Sequence, residues 1–174
     1  MDDRQKILAF VAIVKDEAKA IRATLDSVRS FVDRWAICDT GSSDGTQAIV
    51  REAMASVDGF LFEETFVGYA ESRNRVVDAC VEEATKKDVS LDFLLMLSAD
   101  ETLHGGDNLR AFLATYEGPD EVFLIEVRTP VNALDQPRLV RAGASWRYVG
   151  EGVHEELRCV TDPERVPKVK VEGC

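Results

Sequence analysis

Short apolar runs and helix-spaced apolar stripes alternate along the chain. Ile7–Val14 (ILAFVAIV) is an apolar run followed at once by Lys15-Asp16-Glu17. Phe93–Leu97, inside Leu91–Leu97, is another, and it stops at Ser98-Ala99-Asp100-Glu101. Runs of this length suit strands buried on both faces of a parallel sheet. Between them Ile21, Leu25 and Val28 recur at helical spacing, predicting a helix from about Glu17 to Phe31. Trp35–Cys38 and Phe60–Glu63 read as strands, and Thr46–Ala55 and Tyr69–Lys86 as helices. In the last of these, Val77, Cys80 and Ala84 mark the expected core side. Leu109, Phe112, Leu113 and Tyr116 predict a fourth helix, with Asp107 before it as a cap and Gly118-Pro119 after it. Glu121–Arg128 reads as a fifth strand, and Arg138–Arg141 and Trp146–Val149 as shorter strands nearer the sheet edge.

Strand and helix therefore alternate, and a run of strands follows. This order predicts one α/β domain over residues 1–174, Rossmann-like, with a mostly parallel sheet and helices on both faces. A length of 174 residues is enough for such a core. The net charge of −11 argues against a nucleic-acid surface, whose footprint would be basic. No apolar run reaches the length of a transmembrane segment, and MDDRQK lacks a secretory pattern. The four cysteines are scattered without a CxxC, so reduced thiols in a cytoplasmic protein are expected.

Two stretches carry candidate chemistry. Ligands of open α/β sheets gather outside the carboxyl ends of the strands. Asp100 and Glu101 are placed there, to hold a cation or polar substrate or else to cap the following helix. The second stretch, DTGSSDGT at Asp39–Thr46, has glycines for tight turns and Ser42, Ser43 or Asp44 to cap a helix. It is neither a Walker A loop nor a GxGxxG fingerprint. Asp39 at a strand end could accept hydrogen bonds from a base or ribose, and Asp44 could shape the same crevice.

Six segments, in order, resemble one family. They are VKDE (Val14–Glu17), DTGSSDGT, ESRNR (Glu71–Arg75), LSADE (Leu97–Glu101), PRLVR (Pro137–Arg141) and RYVGEGVHE (Arg147–Glu155). Together they resemble family 2 glycosyltransferases of the GT-A fold, in the bacterial branch with VKNE, DTGSTDGT, LDADE and VHE motifs. The resemblance implies a nucleoside diphosphate sugar donor, usually uridine-linked (UDP). It implies that the Ala12–Glu17 segment, Val14 included, and Asp39 hold the nucleoside, and that Arg73 and Asn74 reach the base or diphosphate. Asp100 matches the second acid of the family's Asp-X-Asp motif, which binds Mn2+ or Mg2+. Ser98 replaces the first acid; with Ala99 it stays at the donor site, where its hydroxyl can bond a ribose but brings no charge. Weaker metal binding, or help from Glu101 or His154, is expected.

His154 in the VHE match is a candidate metal ligand and base, whereas His104 is expected to be exposed and incidental. An inverting transfer also needs a base for the acceptor hydroxyl. Glu155 is the first candidate, with Glu156 or His154 next. Trp146 and Tyr148 could stack on a sugar or pack in the core. Family members usually continue past the VHE segment, so a shortened chain or a minimal member is expected. The reading is a metal-dependent, hexosyltransferase-type enzyme acting on a glycan, lipid or protein hydroxyl. Its rival is a catalytically impaired sugar-nucleotide-binding module. A nucleotidyltransferase ranks last, since Lys15-Asp16-Glu17 is unlike its glycine-rich basic loop.

Overall fold

A computed structural model describes residues 4–129, 131–152, 154–167 and 169–174. Val153, inside the VHE match, lies outside the described residues. The first half is built of βα units: β1 (Leu8–Val14), α1 (Ile21–Val28), β2 (Arg34–Asp39), α2 (Thr46–Ala53), β3 (Asp58–Glu63), α3 (Tyr69–Lys86) and β4 (Phe93–Met96). Then come β5 (Thr102–Leu103), α4 (Gly106–Thr115), β6 (Val122–Arg128), β7 (Ala133–Arg141), β8 (Trp146–Val149), β9 (Glu156–Cys159) and β10 (Val169–Lys170).

The main sheet runs β10-β6-β7-β4-β1-β2-β3, with β5 pairing β6. β3, β2, β1 and β4 are mutually parallel, whereas β7 is antiparallel to both β4 and β6. β1 alternates its side chains between two cores. Leu8, Phe10, Ala12 and Val14 meet α1 and α2, while Ala9 and Val11 meet Val76 and Cys80 of α3. Burial on both faces is why the run is apolar without interruption. The β8–β9 hairpin lies off the main sheet and packs Trp146, Tyr148 and Leu157 into the α3-side core.

Several expectations are corrected. β7 is internal, not near the edge: it inserts between β4 and β6 and is nine residues long. β8 joins no strand of the main sheet. The first helix starts at Ile21, because Asp16 takes a left-handed conformation (φ 54°) and Glu17 to Ala20 form a turn. Asp100 and Glu101 cap no helix, since β5 intervenes before α4. Gly105, not Asp107, is the cap residue of α4. On α3, Val76 is fully buried and Val77 only half-buried.

Candidate active-site crevice

β1 sits between β2 and β4, so the chain reverses its direction of travel across the sheet beside β1. A crevice opens outside the strand ends there, as expected for an α/β sheet. It has a volume of about 630 Å3 and is lined by Val14 and Glu17 after β1, Thr40 after β2, Ser98, Ala99 and Asp100 after β4, and Arg73. Phe66 and Tyr69, in edge-to-face contact at 5.1 Å, form its outer rim.

Two cross-braced loops form one wall. The Asp16 N–H donates to Ser42 Oγ (2.9 Å), the Glu17 N–H to Thr46 Oγ1 (2.8 Å) and the Ala18 N–H to Asp44 Oδ2 (2.9 Å). In return the Ser43 N–H donates to Asp16 Oδ1 (2.8 Å). The Thr46 hydroxyl, which donates to Asp44 Oδ1 (2.6 Å), and then the Ala18 N–H hold Asp44 below the usual carboxylate range. Asp39 is fully buried, and its Oδ1 accepts from the Gly41 and Ser42 N–H groups at 2.8 and 2.7 Å. Gly41, at φ 111°, permits that turn. Asp39 Oδ2 has no hydrogen-bond partner among the described residues.

Arg73 forms the opposite wall. It is 5% exposed, whereas arginine is a residue type mostly left in water. Its Nε donates to Glu155 Oε1 (3.1 Å) and its Nη2 to Ser98 Oγ (3.1 Å), and the guanidinium lies over the Tyr148 ring at 5.4 Å. Nη1 is buried and has no hydrogen-bond partner among the described residues. Behind it, Glu101 accepts from Arg138 Nη2 (2.6 Å) and from the Ser98 N–H (2.8 Å). Glu101 thus faces inward and positions the turn after β4.

Asp100 is exposed at the crevice, and its side chain makes no hydrogen bond or ion pair among the described residues. Glu17 stands in the same crevice. Burial raises its pKa first, and the neighbouring charges of Asp100, Asp44 and Asp16 raise it further. Two hard oxygen donors without a protein cation suit Mg2+ or Mn2+, which bind through one or two carboxylates plus phosphates and water. No group of three metal-ligating side chains occurs among the described residues, so the remaining ligands would come from substrate and solvent.

The other sequence candidates lie elsewhere. Ala12 is fully buried in the β1 core and does not line the crevice. Asn74 clamps the hairpin: its Nδ2 donates to Tyr148 O and its Oδ1 accepts from the Tyr148 N–H, both at 2.9 Å. His154 is exposed and does not line the crevice with Asp100. His104 is exposed too. Sequence reasoning missed Phe66, Tyr69 and Thr46, and it gave Arg138 no role although it lies within PRLVR. A cavity of about 690 Å3 at the opposite end of β1 holds Asp33 and Arg110 already paired with each other.

The sequence model of glycosyl transferase family 2 matches residues 10–152. An uncharacterized glycosyltransferase of Rickettsia felis is 31% identical over 99 residues, 57% of this chain. The matches span only 21% and 30% of the length of two curated relatives. Among solved structures, Staphylococcus aureus TarS 1-349 in complex with UDP covers 75% of this chain and 38% of its own, at 19% identity and a TM-score of 0.57. Glucosyl-3-phosphoglycerate synthase from Mycobacterium tuberculosis, in complex with Mn2+, UDP and phosphoglyceric acid, covers 69% of this chain and 43% of its own, at 17% identity and a TM-score of 0.51. At these identities the likeness concerns the fold. No helix among the described residues is long and apolar enough to cross a membrane.

Proposed function

The chain belongs to glycosyl transferase family 2 and carries the GT-A fold, and from that premise we propose that it transfers a sugar from a UDP-sugar to a hydroxyl of a glycan, lipid or protein, with inversion, in the cytoplasm. The observation that carries this reading is the pairing, across one crevice, of an unpaired carboxylate with a buried arginine bound to a second carboxylate.

Asp100 and Glu17 would hold Mn2+ or Mg2+, a Lewis acid that offsets the charge appearing on the departing diphosphate. Val14, Thr40 and the Asp39 turn would seat the nucleoside, and Arg73 would face the diphosphate. As the sugar–phosphate bond breaks, its electron pair leaves with the UDP oxygen. The acceptor oxygen bonds the anomeric carbon from the opposite side and gives its proton to Glu155, our choice as base. In this role Ser98 fixes Arg73 through its hydroxyl and supplies no charge to the cation. His154, which does not line the crevice, is not needed as a ligand.

The test is a thermal-shift titration with UDP, with and without Mn2+, joined to an assay of slow UDP-sugar hydrolysis. Ligand bound only by the folded protein raises Tm with occupancy. UDP should raise Tm more with Mn2+ than without it, and Asp100→Asn should remove that difference and the hydrolysis. A Mn2+ effect that survives Asp100→Asn refutes the assignment. Binding without turnover on any UDP-sugar would favour the impaired binding module, for which the replacement at Ser98 is the supporting observation.

A further inference from the structure

Among the described residues nothing bonds the Asp100 side chain, so the turn that carries it sets its direction. One residue ties that turn twice. The Glu101 N–H donates to Ser98 O (3.1 Å), and Glu101 Oε2 accepts from the Ser98 N–H (2.8 Å). The other carboxylate oxygen, Oε1, accepts from Arg138 Nη2 (2.6 Å). The Glu101 and Arg138 side chains are 8% and 15% exposed. Arg138 is also hydrogen-bonded to the buried Tyr148 hydroxyl of the β8–β9 hairpin. Arg138 thus grips one oxygen of a carboxylate whose other oxygen closes the turn.

A local irregularity of β7 brings Arg138 there. Between the pairs Phe123–Leu139 and Leu124–Pro137, β6 advances by one residue and β7 by two, so Arg138 is the extra residue of a β-bulge. β7 pairs with β4 only through Leu139, Val140 and Arg141, so the bulge falls where β4 gives out, just before the turn begins. A bulge leaves its extra residue unpaired and re-aims the side chain, and bulges are over-represented next to active sites. Stability does not account for the ion pair it makes, because apolar groups of the same volume often do as well or better. What the pair adds is a fixed direction for the carboxylate that closes the turn.

We propose that Arg138 is a positioning residue for the transfer: acting through Glu101, it holds the turn that presents Asp100 to the cation. The inference rests on reading the crevice as the donor site. Without Arg138 the Glu101 carboxylate is left buried beside no cation, its hold on the Ser98 N–H loosens, and Asp100 loses its fixed direction. Groups that orient a metal ligand from behind typically govern metal affinity by about 10- to 100-fold.

The experiment titrates the full chain with Mn2+ at saturating UDP, reading free Mn2+ by electron paramagnetic resonance, beside UDP binding without metal. In Arg138→Met the Mn2+ affinity should fall about tenfold or more, with metal-free UDP affinity kept within about twofold. Arg138→Lys keeps a cation beside Glu101 and should stay within about threefold of the wild type. Glu101→Gln should also lose about tenfold, and the double variant no more than about twofold further, because the two residues act in series. Gly59→Ala crowds Trp35 outside the crevice lining and is the control for destabilisation alone. Its Tm should fall while its Mn2+ affinity stays that of the wild type. The proposal is overturned if folded Arg138→Met binds Mn2+ like the wild type, if the two single losses multiply in the double variant, or if Gly59→Ala loses Mn2+ as Arg138→Met does. If Arg138→Met loses its melting transition, Glu101→Gln decides, and an unchanged Mn2+ affinity there overturns the proposal. Failure of the wild type to bind Mn2+ with UDP present sinks the donor reading itself and is seen before any variant is compared.

Discussion

The Arg73–Glu155 pair permits a quantitative test. Both side chains are largely withdrawn from water, at 6% and 14% exposure. Arg73→Met keeps most of the packing but leaves the Glu155 carboxylate with no cation beside it. Breaking one partner of a buried pair costs about 3–5 kcal/mol, far more than a surface pair is worth. For a domain of this size that corresponds to a fall in Tm of about 6–20 °C. Glu155→Gln removes the stranded charge, so the double variant should recover much of the loss. The expected coupling is about 2–3 kcal/mol, the upper range for contacting residues. Urea melts followed by circular dichroism would measure it, with unchanged slopes to show that the folded state is comparable. Added salt should alter the coupling little, since a buried pair is weakly screened. Additivity of the two single variants within about 0.5 kcal/mol would refute the reasoning.

Three further outcomes can be measured. Asp92 accepts two bonds from Arg4 and one from the Ile7 N–H; burial alone would raise its pKa, but these bonds and charges outweigh it and hold it below the usual 3.8. Its contribution is therefore present above pH 3.8 and lost as pH falls through the lowered folded value, so the stability gap between wild type and Asp92→Asn should shrink in acid melts below that point. Gly59→Ala should cost about 1–3 kcal/mol by chemical denaturation, because the new Cβ would fall 2.3 Å from the Trp35 carbonyl oxygen. Thr46→Val removes the acceptor of the Glu17 N–H and should cost about 1–3 kcal/mol. Hydrogen exchange at the Glu17 amide should accelerate in that variant and not in Thr46→Ser.

The parallel half of the fold was legible because β1, β2 and β4 are buried on both faces, with only β3 at the sheet edge half-buried, and each helix carries one apolar stripe. The span of α3 is the one expected from its pattern. The place of β7 was hidden by Pro137, a residue that suggests an edge. β7 pairs with β4 only through Leu139, Val140 and Arg141, so Pro137 lies beyond the end of β4, at the register shift opposite Leu124. Asp100 at the rim followed directly from the abrupt end of an apolar run. The burial of Arg73 did not, because its partner Glu155 is 82 residues away and only the packed hairpin brings them together. Asn74 was misleading for a related reason: a polar residue beside a crevice-lining arginine is spent on holding that hairpin.

The reversal of strand direction at β7 divides the rim into two kinds of architecture. On one side it is assembled from βα turns that brace one another, so a change of length in either would disturb its neighbour. On the other side it is made from the hairpin between β6 and β7 and from the detached β8–β9 pair, whose tips can lengthen or shorten with little effect on the sheet. Descendants of such a scaffold can therefore vary one side of the rim while inheriting the other unchanged.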